Sequence, residues 1–199
     1  MNKFLTNIEE YIQSKQSKSY PIVLVDCSGS TLTEYLNKNI FHSFAEKIKK
    51  LIKCDRIYLQ FWSREHFNMG LVDKNNVENI FTSFAITNKN AFNNTNLSCS
   101  IKNIPESWIK KNSEIYILTD GEIQDHETEL REHFNKIIMQ DVDIHIITLE
   151  PNNYDYYNKD TNNTAGTALY TFISQNNLTK LVRSFDSYNR YFIDEPYRN

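Results

Sequence analysis

The chain has 199 residues, 40% hydrophobic and 24% charged, which suits one globular domain with a sizeable core and excludes a disordered polypeptide. A net charge of −3 leaves no basic excess for a polyanion, so no nucleic-acid partner is expected. Cys27, Cys54 and Cys99 are odd in number and widely spaced, which fits neither a disulfide framework nor a zinc site and favours a reducing compartment.

Residues 3 to 16 read as a short helix, with Phe4, Leu5, Ile8, Tyr11 and Ile12 near helical spacing. This N-terminal stretch has no uninterrupted apolar core of signal-peptide length. Nothing in the chain approaches the roughly 18 apolar residues of a membrane span, so a soluble, cytoplasmic protein is expected. After a polar linker over residues 13–19, Ile22, Val23, Leu24 and Val25 form an unbroken apolar run. Such a run suits a central strand buried on both faces.

That run stops at Asp26, an acid that is costly to bury unless it is paired, hydrogen-bonded or close to a metal, and an open rim is predicted for it. Ser28 and Ser30 follow at alternate positions, and Gly29 between them lets the backbone bend. One carboxylate and two hydroxyls can then converge above the strand end. An all-oxygen cluster of this kind suits a hard divalent cation, Mg²⁺ or Mn²⁺ before Zn²⁺. Taken alone, D-x-S-x-S is also what strand-to-helix loops and helix N-caps are made of.

Downstream, Leu36, Ile40, Phe44, Ile48, Leu51 and Ile52 mark one face of a long helix, with Lys47, Lys49, Lys50 and Lys53 toward its C-terminal end. Residues 56–62 and 66–73 read as a hairpin, and a helix is expected around residues 77–84. Asn93, Asn94 and Thr95 place a hydroxyl just ahead of a helix over residues 97–104, stopped near Pro105. Ile115 to Leu118 form a second apolar strand that runs into Thr119-Asp120-Gly121, another acid at a strand end. Three loops thus offer five oxygen side chains: Asp26, Ser28, Ser30, Thr95 and Asp120.

Residues 125–140 read as an amphipathic helix with Leu130, Phe134, Ile137 and Ile138 facing inward, and residues 142–149 as a strand. Residues 151–166 form a polar loop carrying Tyr154, Tyr156 and Tyr157. Two short helices are expected over residues 168–174 and 178–185. The tail from residue 188 keeps Tyr191, Phe192, Ile193 and Tyr197, which suits docking as a strand or binding a partner.

The set D-x-S-x-S, then Thr, then T-D-G, each at a strand end, resembles the metal-ion-dependent adhesion site of the von Willebrand factor A-type (VWA) domain family. The resemblance covers roughly residues 18 to 185. It implies that Ser28 and Ser30 coordinate the ion directly, that Asp26 and Asp120 act directly or through water, and that Thr95 approaches by its hydroxyl or a water. Where the family usually has two glycines before the Thr, this chain has Asn93 and Asn94. Asn is the non-glycine residue that best tolerates a positive φ, so the turn is expected to persist.

Alternating strands and helices predict an α/β fold with an open, mostly parallel central sheet and helices on both faces; the resemblance implies a three-layer, doubly wound sheet with one antiparallel edge strand, which the hairpin fits. One domain is expected over residues 1–199, with a core of about 18–185, an N-terminal helical segment (1–17) and a C-terminal tail (186–199). The resemblance implies a metal-dependent protein-interaction module rather than an enzyme, binding Mg²⁺ or Mn²⁺ and recognising a Glu or Asp of a partner protein.

The alternative is a structural subunit or scaffold of a larger assembly that uses surfaces away from the metal, such as the tyrosine loop or the tail. A Mg²⁺-dependent hydrolase is the third class, but Ser28 stands where D-x-D phosphatases carry a second acid, and no G-x-x-x-x-G-K-[ST] loop is present. Ser28 or Ser30 as a nucleophile would require a His base; His126 follows T-D-G closely, but an exposed His at a helix start is its ordinary reading. Cys27 should point away from the ion into the core. Glu34 and Asp125 are either acids that tune the ion from outside its ligand shell or solvated residues.

Overall fold

The computed structural model describes residues 19–29, 31, 40–88, 94–119, 123–138, 142–148, 169, 172–173, 175–178, 182–187 and 191–192. The expectations for the helix over 3–16, for Ser30, Glu34, Leu36 and Asp120, for the tyrosine loop over 151–166, and for Ile193 and Tyr197 lie outside those residues.

Among the described residues seven strands form one sheet: β1 (Ile22–Asp26), β2 (Arg56–Trp62), β3 (His66–Asp73), β4 (Glu114–Thr119), β5 (Asp143–Thr148), β6 (Val182–Ser187) and β7 (Tyr191–Phe192). Their spatial order is β3-β2-β1-β4-β5-β6-β7. β1 pairs parallel with β2 and β4, and β5 and β6 continue the parallel array. β3 pairs antiparallel with β2, as the hairpin pattern predicts, and lies at the edge, as the resemblance implies. At the other edge, Tyr191–Phe192 of the expected tail pair antiparallel with β6, so the sheet has a second, two-residue antiparallel strand.

All five residues of β1 are buried, as an unbroken apolar run in a central parallel strand requires. Alternate side chains enter opposite layers. Val23, Val25 and Cys27 pack with α1 (Ile40–Leu51) and α2 (Val77–Thr87) through Phe44, Ile48, Phe81 and Phe84. Ile22 and Leu24 pack on the other side with α3 (Leu97–Lys102) and α4 (Glu127–Ile138) through Leu97, Ile101, Leu130 and Phe134. Helical Leu169, Phe172 and Ile173 join this second layer. Among the described residues no helix is long and apolar enough to cross a membrane.

One element differs from its sequence pattern. Residues 178–185 carry apolar side chains at helical spacing, yet Val182–Ser187 form β6, aligned with Ile144–Thr148 of β5. Without β6, β5 would expose a row of backbone donors and acceptors, and satisfying them outweighs a weak local helical preference.

In β3, Gly70 faces Leu59 and Asn68 faces Gln60, so Met69 is the extra residue of a bulge. Gly70 takes φ +74 there, a conformation that an L side chain rarely adopts, and Met69 is turned out toward solvent.

Candidate metal centre

From β1 the chain proceeds outward to β2 and β3 on one side, while β4 to β7 build the sheet on the other. The order therefore reverses between β1 and β4. In open α/β sheets the crevice outside the carboxyl ends of the strands at such a reversal is where ligands bind.

Asp26 ends β1 at this crevice, but it is fully buried rather than open. Neighbouring donors offset its desolvation. The Thr119 hydroxyl at the end of β4 donates to Oδ2 at 2.6 Å, and the Ser28 backbone N–H donates to Oδ1 at 2.8 Å. The Thr31 hydroxyl lies 3.5 Å from Oδ1 and donates to the Ser28 carbonyl at 2.8 Å, fixing the turn that carries Ser28. Ser28 is itself buried, its Oγ 3.4 Å from Thr31 Oγ1.

Thr95 reaches the rim from a different part of the chain. Asn94 before it adopts φ 66, the left-handed turn expected of an Asn standing in for glycine. The Asn96 N–H donates to the Ser63 carbonyl just after β2, at 3.1 Å, and the Gln124 N–H donates to the Thr95 carbonyl at 2.8 Å. Thr95 is 5% exposed, and its hydroxyl has no hydrogen-bond partner among the described residues.

Together these contacts close a circuit. The end of β1 binds the end of β2 through Cys27 N–H to Trp62 C=O at 2.7 Å. Ser63, the residue after Trp62, holds the Thr95 turn. That turn holds Gln124 in the segment after β4, and Thr119 at the end of β4 returns to Asp26. Asp26 and Ser28 are in direct contact, and the turn that carries Thr95 is tied by its backbone to the end of β2 and to the segment after β4; Ser30 and Asp120 lie outside the described residues.

Thr119, Thr31 and Ser63 are contributors that the motif reading did not single out. The only local signal is that Thr119 belongs to T-D-G. Asp125, expected inside the helix over residues 125–140, instead precedes α4, and its carboxylate accepts from the N–H groups of Leu97 and Ser98. His126 is exposed at the start of α4, where its carbonyl accepts from Leu130 N–H. Cys27 points into the α1/α2 layer, as alternation requires, and its Sγ lies 3.1 Å from the Trp62 carbonyl. Burial, reinforced by the charge of Asp26, pushes this thiol far above its ordinary range.

Asp26, Ser28 and Thr95 could hold a cation, and they offer oxygen only. Among the described residues no three His, Cys, Asp or Glu side chains come together. A carboxylate with hydroxyls matches hard cations such as Mg²⁺ and Mn²⁺ rather than ions that favour thiolate or imidazole.

No protein-family model matches the sequence, and no curated protein matches it. Solved structures do match. The VWA domain of SpRpn10 is 15% identical, covers 88% of this chain and 91% of its own, and superposes with a TM-score of 0.52. This chain has the fold of a VWA domain. An aerotolerance-related membrane protein from Bacteroides fragilis, with multiple mutations to serine, is 11% identical over 87% of this chain and 92% of its own, with a TM-score of 0.55. A von Willebrand factor type A protein from Catenulispora acidiphila is 16% identical, with a TM-score of 0.49; the match covers 67% of this chain but 33% of that protein. At these identities the likeness is one of fold. The reversal between β1 and β4 lies at the strand end that carries Asp26 and Ser28, and the turn that carries Thr95 is tied to the neighbouring end of β2 through Ser63.

Proposed function

We propose that this chain is a metal-dependent protein-interaction module that holds Mg²⁺ or Mn²⁺ with Asp26, Ser28, Ser30, Thr95 and Asp120 and captures a Glu or Asp of a partner protein. The observation that carries this reading is the hydrogen-bonded circuit through Asp26, Ser63, Thr95, Gln124 and Thr119 at the strand-order reversal of a VWA fold. It organises the rim from the chain's own groups, so donors from distant segments stay aligned. A divalent ion held there supplies an electrophilic position that a carboxylate oxygen can take.

The chain's own residues set the rest. Thr119 and Ser28 N–H orient the Asp26 carboxylate, and Thr95 presents a hydroxyl not already committed to a described neighbour. We read the module as a binder rather than an enzyme. Ser28 replaces the second acid that a D-x-D phosphatase needs, and His126 stands exposed at a helix start, where a solvated side chain is the ordinary role.

Calorimetric titration with Mg²⁺ and Mn²⁺ tests the reading on the wild type, Asp26→Asn, Thr95→Ala and Asp120→Ala, with thermal melts alongside. Expected are binding by the wild type, loss in Asp26→Asn and Asp120→Ala, and weakening in Thr95→Ala, all with cooperative melts. Capture of a partner with an exposed acid should then require the ion and reverse with EDTA. A wild type that takes up neither ion, or capture indifferent to EDTA, would overturn the reading.

A further inference from the structure

The short helix α3 begins two residues after Thr95, and its N-cap, Asn96, makes no side-chain capping bond. Its first N–H groups are satisfied from a distance instead. Asp125 Oδ2 accepts from Leu97 N–H at 2.7 Å and Asp125 Oδ1 accepts from Ser98 N–H at 2.6 Å. The residue before Asp125 acts on the same turn, since Gln124 N–H donates to the Thr95 carbonyl at 2.8 Å. Residues 124 and 125 thus grip the backbone on both sides of Asn96, two of the three bonds being charge-assisted.

We propose that Asp125 is a positioning residue for the rim: with Gln124 it bolts residues 124–125 to the turn that carries Thr95 and so fixes where the Thr95 hydroxyl stands. This inference rests on the metal-binding reading. The physical logic is that of outer-sphere support, in which a group that never touches the ion sets the placement of one that does. A carboxylate is suited to the task because it accepts two N–H groups at once and carries the charge that a helix N-terminus favours. Asn at this position keeps one side-chain acceptor oxygen, and Ala keeps none.

Amide hydrogen exchange on the metal-free wild type, Asp125→Asn and Asp125→Ala tests the bolt, and Mn²⁺ titration of the same proteins tests its consequence. In Asp125→Ala, exchange at Leu97, Ser98 and Gln124 should quicken while Val23 and Leu24 in β1 stay protected. Mn²⁺ affinity should fall by about 10- to 100-fold, the range usual for outer-sphere partners. Asp125→Asn should fall between Ala and the wild type in both measurements.

Unchanged exchange at Leu97 and Ser98 would overturn the inference. So would faster exchange with unchanged Mn²⁺ affinity, which would leave Asp125 a helix cap only, or equal loss of protection throughout β1, which would report general destabilisation. A wild type that binds no Mn²⁺ would instead sink the metal reading itself. The two failures are separable, because the exchange experiment needs no metal.

Discussion

Thr119 is the residue on which the rim turns. Its hydroxyl meets a fully buried carboxylate at 2.6 Å and joins the ends of two strands through residues 93 positions apart in sequence. Thr119→Val keeps the shape and removes the donor, leaving Asp26 short of a partner it has in the wild type. A loss of about 1–3 kcal/mol is expected in urea denaturation, with Thr119→Ser closer to wild type. Cys27 sits one residue from Asp26 and faces the opposite layer. Its thiol is 1% exposed and pushed well above its ordinary range by burial, so thiol reagents should leave it unmodified in the native protein and reach it only after denaturation. Quantitative labelling of Cys27 under native conditions would contradict the packing. Much of this was legible beforehand: two-residue alternation predicts the direction of Cys27, and an acid closing an apolar strand marks Asp26. The Thr119 bond was not legible, because no local rule pairs residues 93 positions apart.

Among the elements, α2 shows how burial divides a helix into parts that matter differently. Phe84 stacks on Phe61 of β2 with ring centroids 4.0 Å apart and meets Phe67 of β3 edge-on at 5.1 Å. Two residues on, Ile86 is 57% exposed. Phe84→Ala should therefore cost about 3–5 kcal/mol, as large truncations in packed cores do. Ile86→Ala should stay within about 0.5 kcal/mol, as surface changes do. Equilibrium denaturation of the two variants side by side measures the contrast; similar losses would mean that the α2 face is misassigned. Elements with strong periodicity were readable in advance: α2 begins at the expected Val77, and the hairpin of β2 and β3 has the expected bounds. β6 was not, because its apolar spacing is helical while the open edge of β5 asks for a strand. The start of α4 also moved from residue 125 to Glu127, since Asp125 serves α3 instead.

At the scale of the whole molecule, protection should follow position in the sheet. β1 lies between β2 and β4 with all five residues buried, whereas β3 is an edge with a bulge and three exposed residues in its first four. Native-state hydrogen exchange should find its slowest amides in β1 and β4 and faster ones in β3 and the two-residue β7. Equal protection at edge and centre would contradict this architecture. Asp26 of the candidate site ends β1, one of the two strands for which the slowest exchange is expected. That placement suits a site whose geometry must hold before a partner arrives.

By itself the sequence determined the layered α/β class, the central strand, the three loops worth inspecting and the turn at Asn94. Each of these follows from local periodicity or from the conformational freedom of single residues. Only the tertiary structure decided that Asp26 is enclosed rather than open, that β6 is a strand, and that Thr119, Ser63, Gln124 and Asp125 tie the rim together. Those outcomes depend on hydrogen bonds between segments far apart in the chain. Buried polar groups must find partners wherever the fold places them, and that requirement is met only once the sheet has assembled.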